Sequence, residues 1–371
     1  MSQGTKVIGR LPLEAYARLL AGYCVRVAPG DKVMLSVDLA AVPLARPLAR
    51  AVLEAGGEPF MRLHYPQAVR DVLELASEEL LMSEAAVQLR EMEAMDAFIN
   101  VSAQTNSREL QEADRSRLAA LDRRLAPVGR RRVEHTRWVT TLFPTPAAAQ
   151  EAGMSSDAFE RFVCDAMFLY DDDPAARWVE LGRRQQTLVD RLASADVITL
   201  LGPGTNLTLR VKGRTWANSD GRRNMPSGEV FTSPLEDSAT GQITFTVPSG
   251  VKGTVVEGVR LRFEAGKVVE ATADKGQDVL DAQLATDAGA RYLGEIGIGT
   301  NPHIRVPTLK TLYDEKILGT VHLALGRSYE STGGVNDSAI HWDLVCDLRE
   351  GGSVTVDGEP FLEDGRLIWL E

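Results

Sequence analysis

Hydrophobic and polar residues follow two different patterns along the chain. In the first part, short apolar runs alternate with amphipathic segments of helical period. The apolar runs, which predict strands, are residues 31–37, 59–63, 97–101 and 137–146. The amphipathic segments, which predict helices, are residues 11–25, 44–55 and 71–95. Such alternation is typical of an α/β domain, so we expect an N-terminal α/β domain with a mostly parallel sheet.

From residue 195 onward the pattern changes to strand-like runs separated by turn residues. These runs are residues 197–201, 206–211, 243–247, 255–263 and 267–271. One segment of helical period, residues 276–289, interrupts them. Because 371 residues exceed one ordinary domain, we expect two domains. They are an α/β domain with a helical connection over residues 1–194 and a β-rich α+β C-terminal domain over residues 195–371.

Charge and composition narrow the classes of partner. The net charge is -11, and an acidic protein lacks the basic surface that a phosphate backbone requires, so we expect no nucleic-acid partner. No apolar stretch reaches the ~18–20 residues that span a bilayer, and residues 1–6 lack the apolar core of a signal peptide. We therefore expect a cytoplasmic protein with no membrane partner.

The run from residue 319 to residue 347 contains two histidines and a carboxylate at informative spacing. In a strand, residues i and i+2 share a face, so His341 and Asp343 project together. His322 lies in another apolar run, and the loop-like residues 331–336 between the runs allow both histidines to reach one cavity. Imidazole and carboxylate suit zinc and similar ions. The alternative is that each histidine is a hydrogen-bonded core residue.

Two carboxylates lie among apolar neighbours. Glu229 lies in residues 224–234, a segment bounded by glycine and prolines that predicts a loop, and Glu295 lies inside the apolar, glycine-spaced residues 292–299. A buried carboxylate must be paired, protonated or bound to a metal, because an unpaired buried charge costs several kcal/mol. The alternatives are an exposed loop position for Glu229 and a solvent-facing strand position for Glu295.

Taken in order, these segments closely resemble the thermophilic metallo-aminopeptidase family. The matching segments are residues 224–232, 294–295, 319–329 and 341–343, with residues 23–33 and 143–146 extending the resemblance over essentially the whole chain. The resemblance implies a two-metal exopeptidase, carried by the C-terminal domain, that removes amino acids from peptides with a free N-terminus. It also implies a homodimer with enclosed active sites.

The motif match also implies the roles of individual residues. The implied metal ligands are Glu229, Glu295, His322, His341 and Asp343, with Glu295 bridging two ions, and Tyr329 is implied as a catalytic side chain. Three carboxylates and two neutral imidazoles can hold two divalent ions about 3.5–4 Å apart. Zinc, cobalt, manganese and magnesium all accept such ligands, so the sequence does not choose among them.

Several points stay open at the level of sequence. The general base could be Glu295, or Glu236 acting through the water, and Glu236 and Asp237 are candidates to bind the substrate α-amine. The same ligands would polarise any carbonyl, so a metal-dependent hydrolase of another amide or ester is an alternative function. A non-catalytic metal- or peptide-binding protein, in which Tyr329 is idle, is a second alternative.

Overall fold

The computed structural model describes residues 11–251 and 253–370. Residues 1–6, on which the signal-peptide expectation depends, lie outside them. The described residues divide into two compact units, one within residues 1–177 and 221–226 and the other within residues 178–220 and 227–371.

The helices alternate with strands in the first unit and are sparse in the second. The α-helices are α1 (Leu13–Arg18), α2 (Val42–Glu54), α3 (Ala68–Leu75), α4 (Glu78–Met82), α5 (Ala86–Glu93), α6 (Arg115–His135), α7 (Pro146–Glu151), α8 (Ser156–Ala166), α9 (Pro174–Leu192), α10 (Gln277–Leu284) and α11 (Thr311–Asp314). Among the described residues, no helix combines the length and the apolarity that crossing a membrane requires.

The strands dominate the second half of the chain. They are β1 (Lys32–Asp38), β2 (Glu58–His64), β3 (Ala97–Ser102), β4 (Arg137–Leu142), β5 (Val197–Gly202), β6 (Thr205–Arg210), β7 (Ala217–Ser219), β8 (Asn224–Met225), β9 (Glu229–Thr232), β10 (Thr240–Phe245), β11 (Ser249–Val251), β12 (Thr254–Val256), β13 (Val259–Glu264), β14 (Lys267–Thr272), β15 (Leu293–Gly299), β16 (Thr320–Gly326), β17 (His341–Asp347), β18 (Ser353–Val356), β19 (Glu359–Glu363) and β20 (Arg366–Leu367).

A parallel sheet forms the centre of the first unit. Its strand order is β2-β1-β3-β4-β8, and every neighbouring pair is parallel. Val33, Leu35 and Val37 of β1 are fully buried, as expected for a central strand whose connections cover the sheet with helices. The predicted N-terminal α/β domain with a mostly parallel sheet is therefore confirmed.

The helix predicted over residues 71–95 is wrong in one respect, because this segment forms the end of α3 followed by two further helices. The helix α3 ends at Leu75, and Ser77 caps α4, since its hydroxyl accepts a hydrogen bond of 3.1 Å from the backbone N–H of Leu80. The Ser83 hydroxyl donates to the Leu80 carbonyl at 2.8 Å and closes the other end of α4. Serine side chains compete with helical hydrogen bonds in this way, and periodicity alone does not register the competition.

Two antiparallel sheets share the core of the second unit. An eight-stranded sheet has the order β14-β13-β10-β6-β5-β18-β19-β20, and a five-stranded sheet has the order β17-β16-β15-β9-β7. Apolar side chains from both sheets, such as Ile243 and Phe263 from the first and Ile296 and Leu323 from the second, belong to one buried cluster. This confirms the predicted β-rich C-terminal domain.

The single strand predicted over residues 255–263 is wrong, because β12 ends at Val256 and β13 begins at Val259. Gly258 lies between them with a φ of 63°. A positive φ is readily adopted only by glycine, so the chain turns here instead of extending.

Candidate metal centre

The register of the five-stranded sheet brings the candidate ligands onto one face. Glu229 on β9 lies opposite Gly299 on β15. His322 on β16 lies opposite Gly297 on β15 and Val345 on β17. Because alternate residues of a strand share a face, all the candidates project from the face opposite the shared core. They are Glu229, Glu295, His322, His341 and Asp343.

The sequence predicts a loop around Glu229, and this is wrong. Glu229 begins the strand β9, which pairs with both β7 and β15. The strand is only four residues long and is followed by Ser233 and Pro234, so it is too short to show a period of two. Glu229 is 4% exposed, and the exposed-loop alternative is therefore wrong as well.

His322 lies at the centre of the group and is completely buried. Its Nε2 is 2.9 Å from Oε1 of Glu295 and 3.4 Å from Oε2 of Glu229. The imidazole lies across Gly297, where a Cβ would come within 2.1 Å of Cε1 and 2.3 Å of Nε2. Only glycine at position 297 leaves room for the ring, because real Cβ atoms do not approach other atoms so closely.

His341 is held with one nitrogen turned toward the other candidates. Its Nδ1–H donates to the backbone carbonyl of Arg327 at 2.7 Å, so Nε2 is the nitrogen that carries the lone pair once the ring is neutral. That Nε2 is 3.4 Å from Oδ1 of Asp343 and 3.9 Å from Oε2 of Glu295. A carbonyl partner on the far nitrogen is typical of a metal-binding histidine, since it fixes the tautomer and the ring orientation.

Several buried polar atoms here make no hydrogen bond. These are Oε2 of Glu229, Oδ1 of Asp343 and Nδ1 of His322. Leaving a buried polar atom unsatisfied costs about 1–3 kcal/mol, so unsatisfied ligand-type atoms gathered at one place fit a site that is completed by a cation. Ligand atoms lie within 4.8 Å of one another in two overlapping sets, Glu229 with Glu315 and His322, and Glu295 with His322 and Asp343.

The sequence did not predict that Glu315 and its neighbour Lys316 belong to the site. They follow α11, and the Lys316 side chain is fully buried with its Nζ 3.3 Å from Oε1 of Glu229 and in direct contact with Glu315. The only signal in the sequence was two acids and a base between Tyr313 and Ile317. Adjacent charges of opposite sign usually mark a solvated turn, so the pattern gave no reason to choose them.

The pKa shifts indicate that the buried carboxylates stabilise the protonated form of His322. Burial disfavours the imidazolium of His322, but the hydrogen bond to Glu295 and the charge of Glu229 outweigh it and raise the pKa to about 9. Burial raises the pKa of Glu229 and Glu295. In the chain alone, protons on imidazole thus balance buried acids, and a divalent ion that binds there has to displace them.

Tyr329 lies above this face on the segment that follows β16. Its ring centroid is 5.1 Å from that of His341 and 5.9 Å from that of Phe231, which it meets in an edge-on arrangement. The residue is 43% exposed, so a ligand can reach it. Burial and the neighbouring carboxylates, Glu295 and Asp343 foremost, raise the pKa of the phenol, which therefore keeps its proton at neutral pH.

Glu236 has a different environment from the one that a general base requires. Its Oε2 contacts the guanidinium of Arg214 at 2.5 Å, and its Oε1 accepts a hydrogen bond of 2.9 Å from the backbone N–H of Val335. Since its carboxylate binds Arg214 and Val335 and belongs to neither set of ligand atoms, the geometry disfavours Glu236 as the base or the amine-binding acid. Of the two candidate bases only Glu295 lies among the ligand atoms.

Comparison with known proteins gives three informative matches. A family model described as thermophilic metalloprotease (M29) matches residues 11–367. A curated relative, aminopeptidase 2 from Geobacillus stearothermophilus, is 30% identical over 95% of this chain and 97% of its own length. The solved structure of wild-type AmpT from Thermus thermophilus superimposes with a TM-score of 0.83 at 27% identity, over 96% of this chain and 98% of that one.

Proposed function

Because the chain belongs to the thermophilic metalloprotease (M29) family, we propose that it is an aminopeptidase that releases N-terminal amino acids from peptides. The resemblance carried by the ordered motifs is thereby confirmed, and the chain is a metallopeptidase. The observation that supports the proposal most strongly is the buried group of carboxylates and imidazoles on one face of β9, β15, β16 and β17. The names of the relatives, aminopeptidase 2 and AmpT, agree with it.

Two divalent ions complete this centre in our proposal. The residues that would hold them are Glu229, Glu295, His322, His341 and Asp343, with Glu295 shared and Glu315 as a further carboxylate. When bound, such ions supply a water of lowered pKa and polarise the scissile carbonyl. Zinc, cobalt, manganese and magnesium are all compatible with mixed carboxylate and imidazole ligands.

The chain's own groups then act on the peptide. The Tyr329 phenol, which is protonated and accessible above His341, donates a hydrogen bond to the oxygen that becomes negative when the carbonyl is attacked. Glu295 accepts the proton of the attacking water and returns it to the departing amine. A required free α-amine on the substrate would distinguish an aminopeptidase from a hydrolase of other amides or esters.

Release of p-nitroaniline from leucine p-nitroanilide tests the proposal. We expect turnover that disappears on chelation, returns when cobalt, zinc or magnesium is added, and fails on the N-acetylated substrate. Turnover of both substrates would indicate a different metal-dependent hydrolase. No turnover with bound metal confirmed by elemental analysis would indicate a binding protein and overturn the proposal.

The cytoplasmic location, expected from the sequence pattern, and the homodimer, implied by the family resemblance, stay predictions. Light scattering during size-exclusion chromatography tests the second. We expect a mass of twice the 40.4 kDa of one chain, and a monomer peak that is active would contradict the dimer without touching the catalytic proposal.

A further inference from the structure

A lysine that is completely buried lies within the candidate metal centre. The side chain of Lys316 has no exposed surface, and its ammonium lies between the carboxylates of Glu229 and Glu315. Both carboxylates belong to one of the two sets of ligand atoms. An ammonium group taken out of water costs several kcal/mol unless opposite charges compensate it, so this arrangement is stable only as a group.

The sheet is shaped to admit this lysine. Gly299 lies opposite Glu229 in the register, and a Cβ at Gly299 would come within 2.0 Å of the Ile317 carbonyl oxygen and 2.9 Å of the Lys316 carbonyl carbon. The missing side chain lets the backbone of residues 316 and 317 lie directly on β15. The backbone N–H of Asn301 also donates to the Lys316 carbonyl at 3.1 Å, which fixes the lysine where its chain reaches Glu229.

The charges of the neighbouring carboxylates indicate what Lys316 does at this site. The carboxylates of Glu229, Glu295, Glu315 and Asp343 lie on or beside this face. Their four negative charges equal the charge of two divalent ions, and the lysine adds one positive charge. While no ion is bound, that positive charge offsets one of the four negative charges and lowers the repulsion among the carboxylates.

We propose that Lys316 is a fixed cation of the metal centre, a positioning residue that holds Glu229 and Glu315 together and offsets part of their charge before any ion binds, at some cost in metal affinity. This proposal rests on the proposed function for its setting. Its main consequence concerns metal-linked stability, which does not require turnover.

Thermal unfolding of Lys316→Met, with and without metal, tests the proposal. Methionine keeps most of the length and removes the charge. Removing one partner of a buried ion pair should lower the Tm of the chelated protein by roughly 6–20 °C. Saturating zinc or cobalt neutralises the two stranded carboxylates, so the metal-loaded variant should recover at least half of that loss. The gain in Tm on adding metal should therefore be larger in the variant than in the wild type.

Lys275→Met is the matched control. Lys275 pairs with Glu257 at 2.8 Å on the surface of the same unit, and its loss should leave both Tm values within about 2 °C of the wild type. Equal losses with and without metal in Lys316→Met would show a lysine that is only packed in the core, and would overturn the proposal. If the chelated variant does not fold, we expect the metal-loaded variant to fold and to unfold as chelator is added, while the wild type stays folded in chelator. A variant that stays unfolded at saturating metal would then also overturn the proposal.

Kinetics separate this proposal from the proposed function. At saturating metal we expect kcat for leucine p-nitroanilide to fall at least about tenfold in Lys316→Met while KM stays within about threefold, because the ammonium contacts ligands and not substrate. A rise in KM with unchanged kcat would contradict the positioning role. A wild type that gains stability from metal but has no turnover would defeat the aminopeptidase proposal alone.

Discussion

Gly297 shows how much a single missing side chain can decide. The imidazole of His322 lies where a Cβ of residue 297 would be, and His322 contacts two of the other candidate ligands, Glu229 and Glu295. The role of Gly297 could not be predicted from the sequence, because a glycine in an apolar run indicates only a close approach by something. What approaches is decided by the neighbouring strand.

We expect Gly297→Ala to weaken metal binding strongly and so to reduce metal-dependent stabilisation. The added methyl group forces His322 out of the group of ligand atoms, so calorimetric titration with zinc should show at least about a hundredfold weaker binding. Gly129→Ala is the control, because nothing lies within 4 Å of a Cβ there and alanine favours a helix. Unchanged metal binding in Gly297→Ala would mean that His322 is not a ligand.

Tyr329 carries a second prediction at the scale of one residue. Tyr329→Phe keeps the ring against His341 and removes only the hydroxyl. We expect kcat to fall about 10²–10³-fold, the loss seen when an oxyanion donor is removed, with metal content unchanged. Tyr65→Phe, at a residue of similar exposure, removes a hydroxyl that donates to Asp71 and should leave kcat unchanged. Full activity of Tyr329→Phe would defeat its catalytic role.

The segment that carries Tyr329 is anchored at several points, and the sequence predicts only that it is a loop. Thr332 is fully buried, its hydroxyl lies 2.7 Å from that of Ser233, and its carbonyl accepts from the backbone N–H of Thr215 at 3.1 Å. Glu236 holds the same segment through Val335 while it pairs with Arg214. The contacts of Ser233 with Thr332 and of Glu236 with Val335 join residues about 100 positions apart, which no local pattern reveals.

Glu236→Gln should therefore impair catalysis through Tyr329. Glutamine keeps an acceptor for Val335 but leaves the guanidinium of Arg214 without its counter-charge. We expect kcat to fall about tenfold, the equivalent of ~1.4 kcal/mol, with no change in metal affinity. The effect should nearly vanish in the background of Tyr329→Phe, because the two changes act on the same contact. Additive losses in the double variant would show an independent role for Glu236, and Glu257→Gln on the surface is the control.

Strands could be predicted from the sequence where their hydrophobic pattern extends over several residues. The strands β15 and β16 could be predicted from their apolar runs, and the shared face of His341 and Asp343 in β17 follows from a period of two. The structure has both. The strand β8 is two residues long and pairs with β4 of the first unit, across about 80 residues of sequence. Such a strand exists only because its partner is present, so local propensity carries no information about it.

At the scale of the whole molecule, the protonation of the metal centre changes the stability of the fold. Burial disfavours the charged form of His341, but Asp343 beside it outweighs this effect and raises the pKa to about 10, and that of His322 is about 9. Both values exceed the ordinary 6.5. In the metal-free protein, the stability contributed by these imidazolium groups is fully present below about pH 6.5 and is lost as pH rises through about 9–10.

Metal binding has the opposite dependence, since each ion must displace protons from the imidazoles and so binds more tightly as pH rises. We expect the gain in Tm on adding zinc to the chelated protein to grow steadily between about pH 6 and pH 9. Metal at about a thousand times its Kd contributes ~4 kcal/mol, or roughly 8–16 °C for a unit of this size. Tyr329→Phe keeps every proposed ligand and should show the same growth. A gain that stays constant with pH would show that the ions do not replace protons on His322 and His341, and the ligand assignment would fall with it.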